Sequence, residues 1–179
     1  LFTSFIAGCT KREPRQFNPP YNPPPVLVPI VPGAPPRTFL ALGDSYTIGE
    51  GVTLGERFPH QTAALLKGRG INMLEPQYIA QTGWPTGSLL YAINGTNPPD
   101  SFDVVGLLIG VNNQYQRRDT GTYRQEFTQC LKEAIRLAGK RTTRVFVVII
   151  PDYSVTPFTS NSDSVRISIE IDAFNNINK

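Results

Sequence analysis

The chain is short of the residues that most often carry metal or redox chemistry. Of its 179 residues, two are cysteine (Cys9 and Cys130) and one is histidine (His60). Neither cysteine has a partner at Cys-x-x-Cys spacing, so zinc, redox and disulfide readings all have little support, and no metal or cofactor is expected. No uninterrupted apolar run approaches the roughly 20 residues that span a bilayer, so no complete transmembrane helix is expected. Charge is sparse, at 17% of residues, and the formal net charge of +3 divides into +2 before residue 37 and +1 after it. A pI near 9.0 therefore does not imply nucleic acid as a partner, which calls for a basic stripe on the domain itself. No Gly-x-Gly-x-x-Gly follows the first apolar run and no Gly-Lys-Ser or Gly-Lys-Thr occurs, which weakens a nucleotide-binding reading. What the chain does have is apolar residues at 40%, enough for one packed core, and a length that suits one domain and effectively rules out two.

Proline divides the sequence. Ten of the 17 prolines precede residue 37, so residues 10–36 read as a tether of extended polyproline II character and the folded domain as residues 37–179. Leu1 to Gly8 is apolar and small and is followed by Cys9, Lys11 and Arg12, the pattern at the end of a secretory signal peptide. Ile6-Ala7-Gly8-Cys9 resembles a bacterial lipobox. That resemblance implies that residues 1–9 are the remnant of a lipoprotein signal and that Cys9 is lipidated. It also implies a domain held at the bacterial cell envelope outside the cytoplasm, since acyl chains bury about 0.8 kcal/mol per methylene. The first residue is Leu, and Asn175 to Lys179 falls inside a helical pattern, so the chain is expected to be a fragment at both ends.

Within the domain, residues 38–42, 103–109 and 145–150 are apolar runs without alternation, as in strands buried on both faces of a parallel sheet. Residues 78–80 form a weaker candidate strand. A helix is expected from Thr122 to Ala138, opened by a Thr122/Gln125 capping box, with Phe127, Cys130, Leu131, Ala134, Ile135 and Ala138 on one face. Cys130 is then a core thiol. A second helix is expected from Phe58 to Lys67, and a last one from near Asp163 carries Ile167, Ile171 and Phe174 inward. Strands alternating with helices predict an α/β fold.

Three short motifs follow three of the strands: Gly43-Asp44-Ser45-Tyr46, Gln81-Thr82-Gly83-Trp84 and Gly110-Val111-Asn112-Asn113. In a parallel α/β sheet ligands bind beyond the carboxyl ends of the strands, so all three face one crevice. A serine hydroxyl becomes a nucleophile when a base takes its proton. The N–H groups of Ser45 and Gly83 and the amide of Asn112 are candidate donors to the oxyanion that forms. Trp84, Tyr115, Arg117 and Arg118 follow the second and third motifs and are candidate crevice residues. Turn chemistry is the alternative for each motif alone, since Gly, Asn, Asp and Ser are common at turns and caps.

Together the motifs resemble the SGNH hydrolases, the GDSL esterase and lipase family, and lie close to its bacterial lysophospholipase-like members. The resemblance implies a three-layer α/β/α flavodoxin-like sandwich, Ser45 as nucleophile, and Gly83 and Asn112 as oxyanion donors. The substrate implied is a small-molecule or lipid ester, with no cofactor. Asn113 stands where the family has Asp, which is expected to alter loop bonding more than the oxyanion donor. The family also places an Asp-x-x-His near its C-terminus, and this sequence has none. His60 opens a helix and reads as solvated or capping. A fifth strand, the Asp-x-x-His loop and a final helix are expected beyond Lys179, and loss of the base costs on the order of 10⁴ to 10⁶ in turnover. A carbohydrate O-acetyl esterase is an alternative of the same chemistry, and a non-catalytic envelope binding lipoprotein on the same scaffold is one of another class. Substrate identity and oligomeric state are not legible in the sequence.

Overall fold

A computed structural model describes residues 27–159 and 163–179. Cys9 and the lipobox lie outside the described residues, as do residues 10–26 of the tether. Four strands, β1 (Phe39–Gly43), β2 (Gln77–Ala80), β3 (Val104–Leu108) and β4 (Val145–Val147), form one parallel sheet in the order β2-β1-β3-β4. Among the described residues six α-helices flank it: α1 (Ser45–Ile48), α2 (Phe58–Gly68), α3 (Thr86–Thr96), α4 (Val111–Tyr115), α5 (Thr120–Leu137) and α6 (Ser164–Asn178). The α/β class and the parallel sheet are those expected.

The period of two along β1 sorts its side chains between two cores. Leu40 and Leu42 join Val105 and Leu107 of β3, and against them pack Leu89 and Ile93 of α3, Phe127, Cys130 and Ala134 of α5, and Ile167, Ile171 and Phe174 of α6. Phe39 and Ala41 face the other way, onto Ala63 of α2 and Met73, with Phe146 covering Phe39 at 5.9 Å between ring centroids. The sheet is thus the middle of three layers. Because β1 is central and pairs on both sides, its five residues are all buried.

Several boundaries differ from expectation for local reasons. Helix α5 starts two residues early: the cap is Asp119, whose carboxylate accepts the Thr122 N–H at 2.7 Å, so Thr122 lies inside the first turn and caps nothing. The strand expected over residues 145–150 ends at Val147, although the Val148 N–H still donates to the Leu107 carbonyl at 2.9 Å; at Ile150 the side-chain amide of Asn175 on α6 takes both backbone groups, accepting its N–H at 2.8 Å and donating to its carbonyl at 2.9 Å. His60 is neither solvated nor a cap. Its Nδ1 lies 2.7 Å from the Tyr78 hydroxyl and its Nε2 2.9 Å from Glu75, which joins α2 to β2. Cys130 is fully buried, and burial pushes its thiol up to about 12, as suits a core residue.

Contacts with the domain begin before residue 37. The Val28 N–H donates to Gly68 O at 2.7 Å, Asn72 Nδ2 donates to Ala34 O at 2.7 Å, and Val28 and Arg37 make parallel bridges to Arg69 and Met73. This end of the proline-rich stretch sits where β1 begins, at the opposite edge of the sheet from the motifs at the strand ends.

Candidate active site

Strands β1, β2 and β3 end level with one another, with Gly43 in register with Ala80 on one side and Leu108 on the other. The three motifs therefore leave the sheet at one edge. At Gly43 the chain turns in a space that admits no side chain: a Cβ there would collide with the Leu108 carbonyl and the Thr47 hydroxyl, which are themselves hydrogen-bonded at 3.4 Å. Helix α1 starts two residues later. Asp44 is its cap, accepting the Tyr46 N–H at 3.0 Å. That leaves the Ser45 hydroxyl, at the first helical position, without a hydrogen bond among the described residues.

Ser45 and Asn112 line one cleft of about 300 Å³, together with Tyr46, Val111, Tyr115, Tyr153, Thr156 and Phe158. Asn112 sits in the first turn of α4, and its Nδ2 donates to the Trp84 carbonyl at 3.0 Å. An amide nitrogen carries two hydrogens, so one remains for a group bound in the cleft. Asn113 turns the other way, into the interior. Its Oδ1 accepts the Thr86 N–H at 3.0 Å and its Nδ2 donates to the Thr86 hydroxyl at 2.7 Å, while that hydroxyl donates to Glu126. An aspartate at 113 would lack the second donor and would face the Glu126 carboxylate across Thr86. The asparagine thus ties α3 to α4 and leaves Asn112 as the amide in the cleft.

The remaining predicted residues divide. Gly83 lies in the turn after β2 with φ +82°, a left-handed conformation that favours glycine, but it is exposed and does not line the Ser45 cleft. Its neighbour Trp84 packs against the larger core and meets the site only through its carbonyl. Tyr115 does line the cleft. Arg117 instead borders a neighbouring hollow, and Arg118 bonds Gln116 at 3.1 Å. Tyr153, Thr156 and Phe158, on the loop after β4, carry no motif that sequence reasoning picked out. The rule that placed the three motifs would have found them, because this loop too leaves the carboxyl end of a parallel strand.

Asp44 is the electrostatic anomaly of the site. Its residue is 1% exposed, and burial pushes its carboxyl up to about 7 against the opposing influence of the N–H groups of Tyr46, Asp44 itself and Gly110. One of its oxygens, Oδ2, has no hydrogen-bond partner among the described residues. No histidine shares the cleft, since the chain's single one is on α2, bonded to Tyr78 and Glu75. Among the described residues no three His, Cys, Asp or Glu side chains gather into a metal-binding group.

Residues 41–179 match the model of the GDSL-like Lipase/Acylhydrolase family. The chain belongs to that family. Solved structures with the same fold include the SGNH-hydrolase family esterase AlinE4, at 21% identity and a TM-score of 0.59 over 78% of this chain and 69% of that one. A lipolytic G-D-S-L protein of Veillonella parvula shares 19% identity with a TM-score of 0.59, over 78% and 69% of the two chains. The lipase Lip_vut3 from a goat rumen metagenome shares 20% with a TM-score of 0.59, over 80% and 74%. No curated protein matches.

The raised carboxyl of Asp44 makes a sign-definite prediction. A group with a pKa of about 7 when folded and near 3.9 when unfolded favours folding only while protonated, so its penalty is absent below pH 4, grows between pH 4 and 7, and is complete above. Asp44→Asn keeps the acceptor for Tyr46 and removes the titration. Denaturant melts should show it gaining stability relative to the parent from pH 4 to pH 8, on the order of 4 kcal/mol at most. Parallel pH profiles for the two proteins would contradict the burial argument.

Proposed function

We propose that the protein is a serine ester hydrolase in which Ser45 attacks and Asn112 holds the oxyanion. The observation that carries the proposal is the convergence of an uncapped serine hydroxyl and a half-free asparagine amide on one cleft, in a chain of a lipase and acylhydrolase family. The Ser45 oxygen adds to the acyl carbonyl carbon while its proton passes to a base. Negative charge collects on the carbonyl oxygen, where the Asn112 Nδ2–H and the Ser45 N–H are donors. The ester C–O bond then breaks, the alcohol departs with a proton, and water releases the acid from Ser45. Gly83 is assigned as a further donor on the family resemblance. Its support in the geometry is indirect, through Trp84, whose carbonyl fixes the Asn112 amide.

The base is the part these cleft residues do not supply. A second reading is a binding protein on the hydrolase scaffold, because among the described residues no histidine lines the cleft and His60 is held by Tyr78 and Glu75. The proposal extends to location. Cys9 is assigned as a lipidated residue and the domain to the bacterial envelope, on the lipobox-like Ile6-Ala7-Gly8-Cys9 and the proline-rich stretch after it.

Two experiments test these assignments. The 179-residue protein should hydrolyse p-nitrophenyl acetate slowly, and added imidazole should accelerate it about tenfold beyond the rate of imidazole alone by serving as the base. Ser45→Ala should lose that increment, whereas His60→Ala should keep it. An increment that survives Ser45→Ala overturns the nucleophile, and no increment in any variant favours the binding protein. Separately, expression in a bacterium with labelled palmitate should mark the protein and leave Cys9→Ser unmarked, and equal labelling of both would remove the anchor.

A further inference from the structure

The cleft beside Ser45 is small. Its volume of about 300 Å³ stands at the lower end of the range that binds small molecules, roughly 300 to 1,000 Å³. Apart from Ser45, Asn112 and Thr156, its walls are Val111 and the rings of Tyr46, Tyr115, Tyr153 and Phe158. Two of the four rings contrast, one fixed and one free. Tyr153 is buried, and its hydroxyl donates to Gln114 Oε1 at 2.7 Å. Gln114 Nε2 in turn donates to Glu170 at 2.6 Å, and Arg166 holds Glu170 from the other side at 2.9 Å. Phe158 is 73% exposed and leans on Tyr115 and Tyr153, its ring centroid 6.2 Å from each.

Tyr115, Tyr153 and Phe158 also wall a second hollow of about 400 Å³, whose other lining includes Arg117, Asp163 and Arg166. The two hollows therefore share an aromatic partition, apolar on the Ser45 side and charged on the other. An acyl chain growing away from Ser45 gains contact with the rings until it meets the partition. The rings act as a steric stop, and removing one would join the Ser45 cleft to the second hollow, where Ile167 and the methylene stems of Arg117 and Arg166 offer apolar contact.

Resting on Ser45 as the nucleophile, we propose that the enzyme takes esters of short, apolar acyl groups, and that Phe158 sets the upper limit of acyl length. The aromatic partition is then a specificity device. Phe158 is its removable element, because its ring carries no hydrogen-bonding group and most of its surface is exposed.

The test is equilibrium binding of straight-chain carboxylates, from acetate to dodecanoate, measured by calorimetry below their micellar concentrations. It makes and breaks no bond, so a Ser45 that fails to react would count against the nucleophile and leave this measurement standing. Affinity should rise about fourfold per methylene until the chain fills the cleft, at a length short of dodecanoate, and then level or fall. In Phe158→Ala the rise should continue, with dodecanoate bound at least about tenfold tighter than by the parent. Phe158→Leu should lie between. Circular dichroism and thermal melts confirm that each variant is folded, and Tyr115→Ala provides a second opening of the partition. Three results would overturn the proposal: an unbroken rise to dodecanoate in the parent, no shift in either Phe158→Ala or Tyr115→Ala, or no binding by any acid.

Discussion

The site depends on the closeness of two backbones. At the end of β1, Gly43 lies so near the Leu108 carbonyl of β3 and the Thr47 hydroxyl of α1 that no side chain fits. The contact brings the start of α1 over the end of β3. Ser45, two residues past β1, and Gly110, two residues past β3, are thereby carried to the same edge of the sheet. Ser45 and Asn112 meet because of this junction. The hydrophobic alternation of β1, with Leu40 and Leu42 to one side and Phe39 and Ala41 to the other, fixes the strand that makes the junction possible.

Burial at that junction has an electrostatic cost. Asp44 must be beside Ser45 to cap α1, and the packing that closes the turn excludes water from its carboxyl and leaves Oδ2 unbonded. The residue that caps the helix bearing Ser45 thus sits as a poorly solvated acid next to it. Asn113 resolves a similar conflict differently. As a neutral amide it can accept and donate at once toward Thr86, where a carboxylate would confront Glu126.

Legibility in the sequence tracked the strength of the local signal. The apolar runs of β1 and β3 and the amphipathic stripe of α5 were readable because burial on a fixed period leaves a pattern. Helix α3 was not read: its sequence contains Gly87, Ser88 and Gly95, and it is helical because Leu89 and Ile93 are fully buried against the sheet and α5. The end of the apolar run after β4 is not legible, because the backbone of Ile150 is bonded to Asn175, 25 residues away, and no local pattern encodes that. The role of His60 is not legible in the sequence, because its partners Tyr78 and Glu75 become neighbours only when α2 packs on β2. In the site, Ser45 and Asn112 were visible as motif residues at strand ends. The aromatic wall was not, since Tyr153 and Phe158 sit in a loop without periodicity.

Central to the proposed chemistry is that Ser45 and Asn112 act on the same carbonyl. The most direct measurement is a crystal structure of the protein after reaction with a p-nitrophenyl alkylphosphonate, whose tetrahedral phosphorus stands in for the attacked carbonyl carbon. Phosphorus should be bonded to Ser45 Oγ, with a phosphoryl oxygen within about 3.1 Å of Asn112 Nδ2. A phosphoryl oxygen directed away from Asn112, or phosphorus on any other residue, would contradict it.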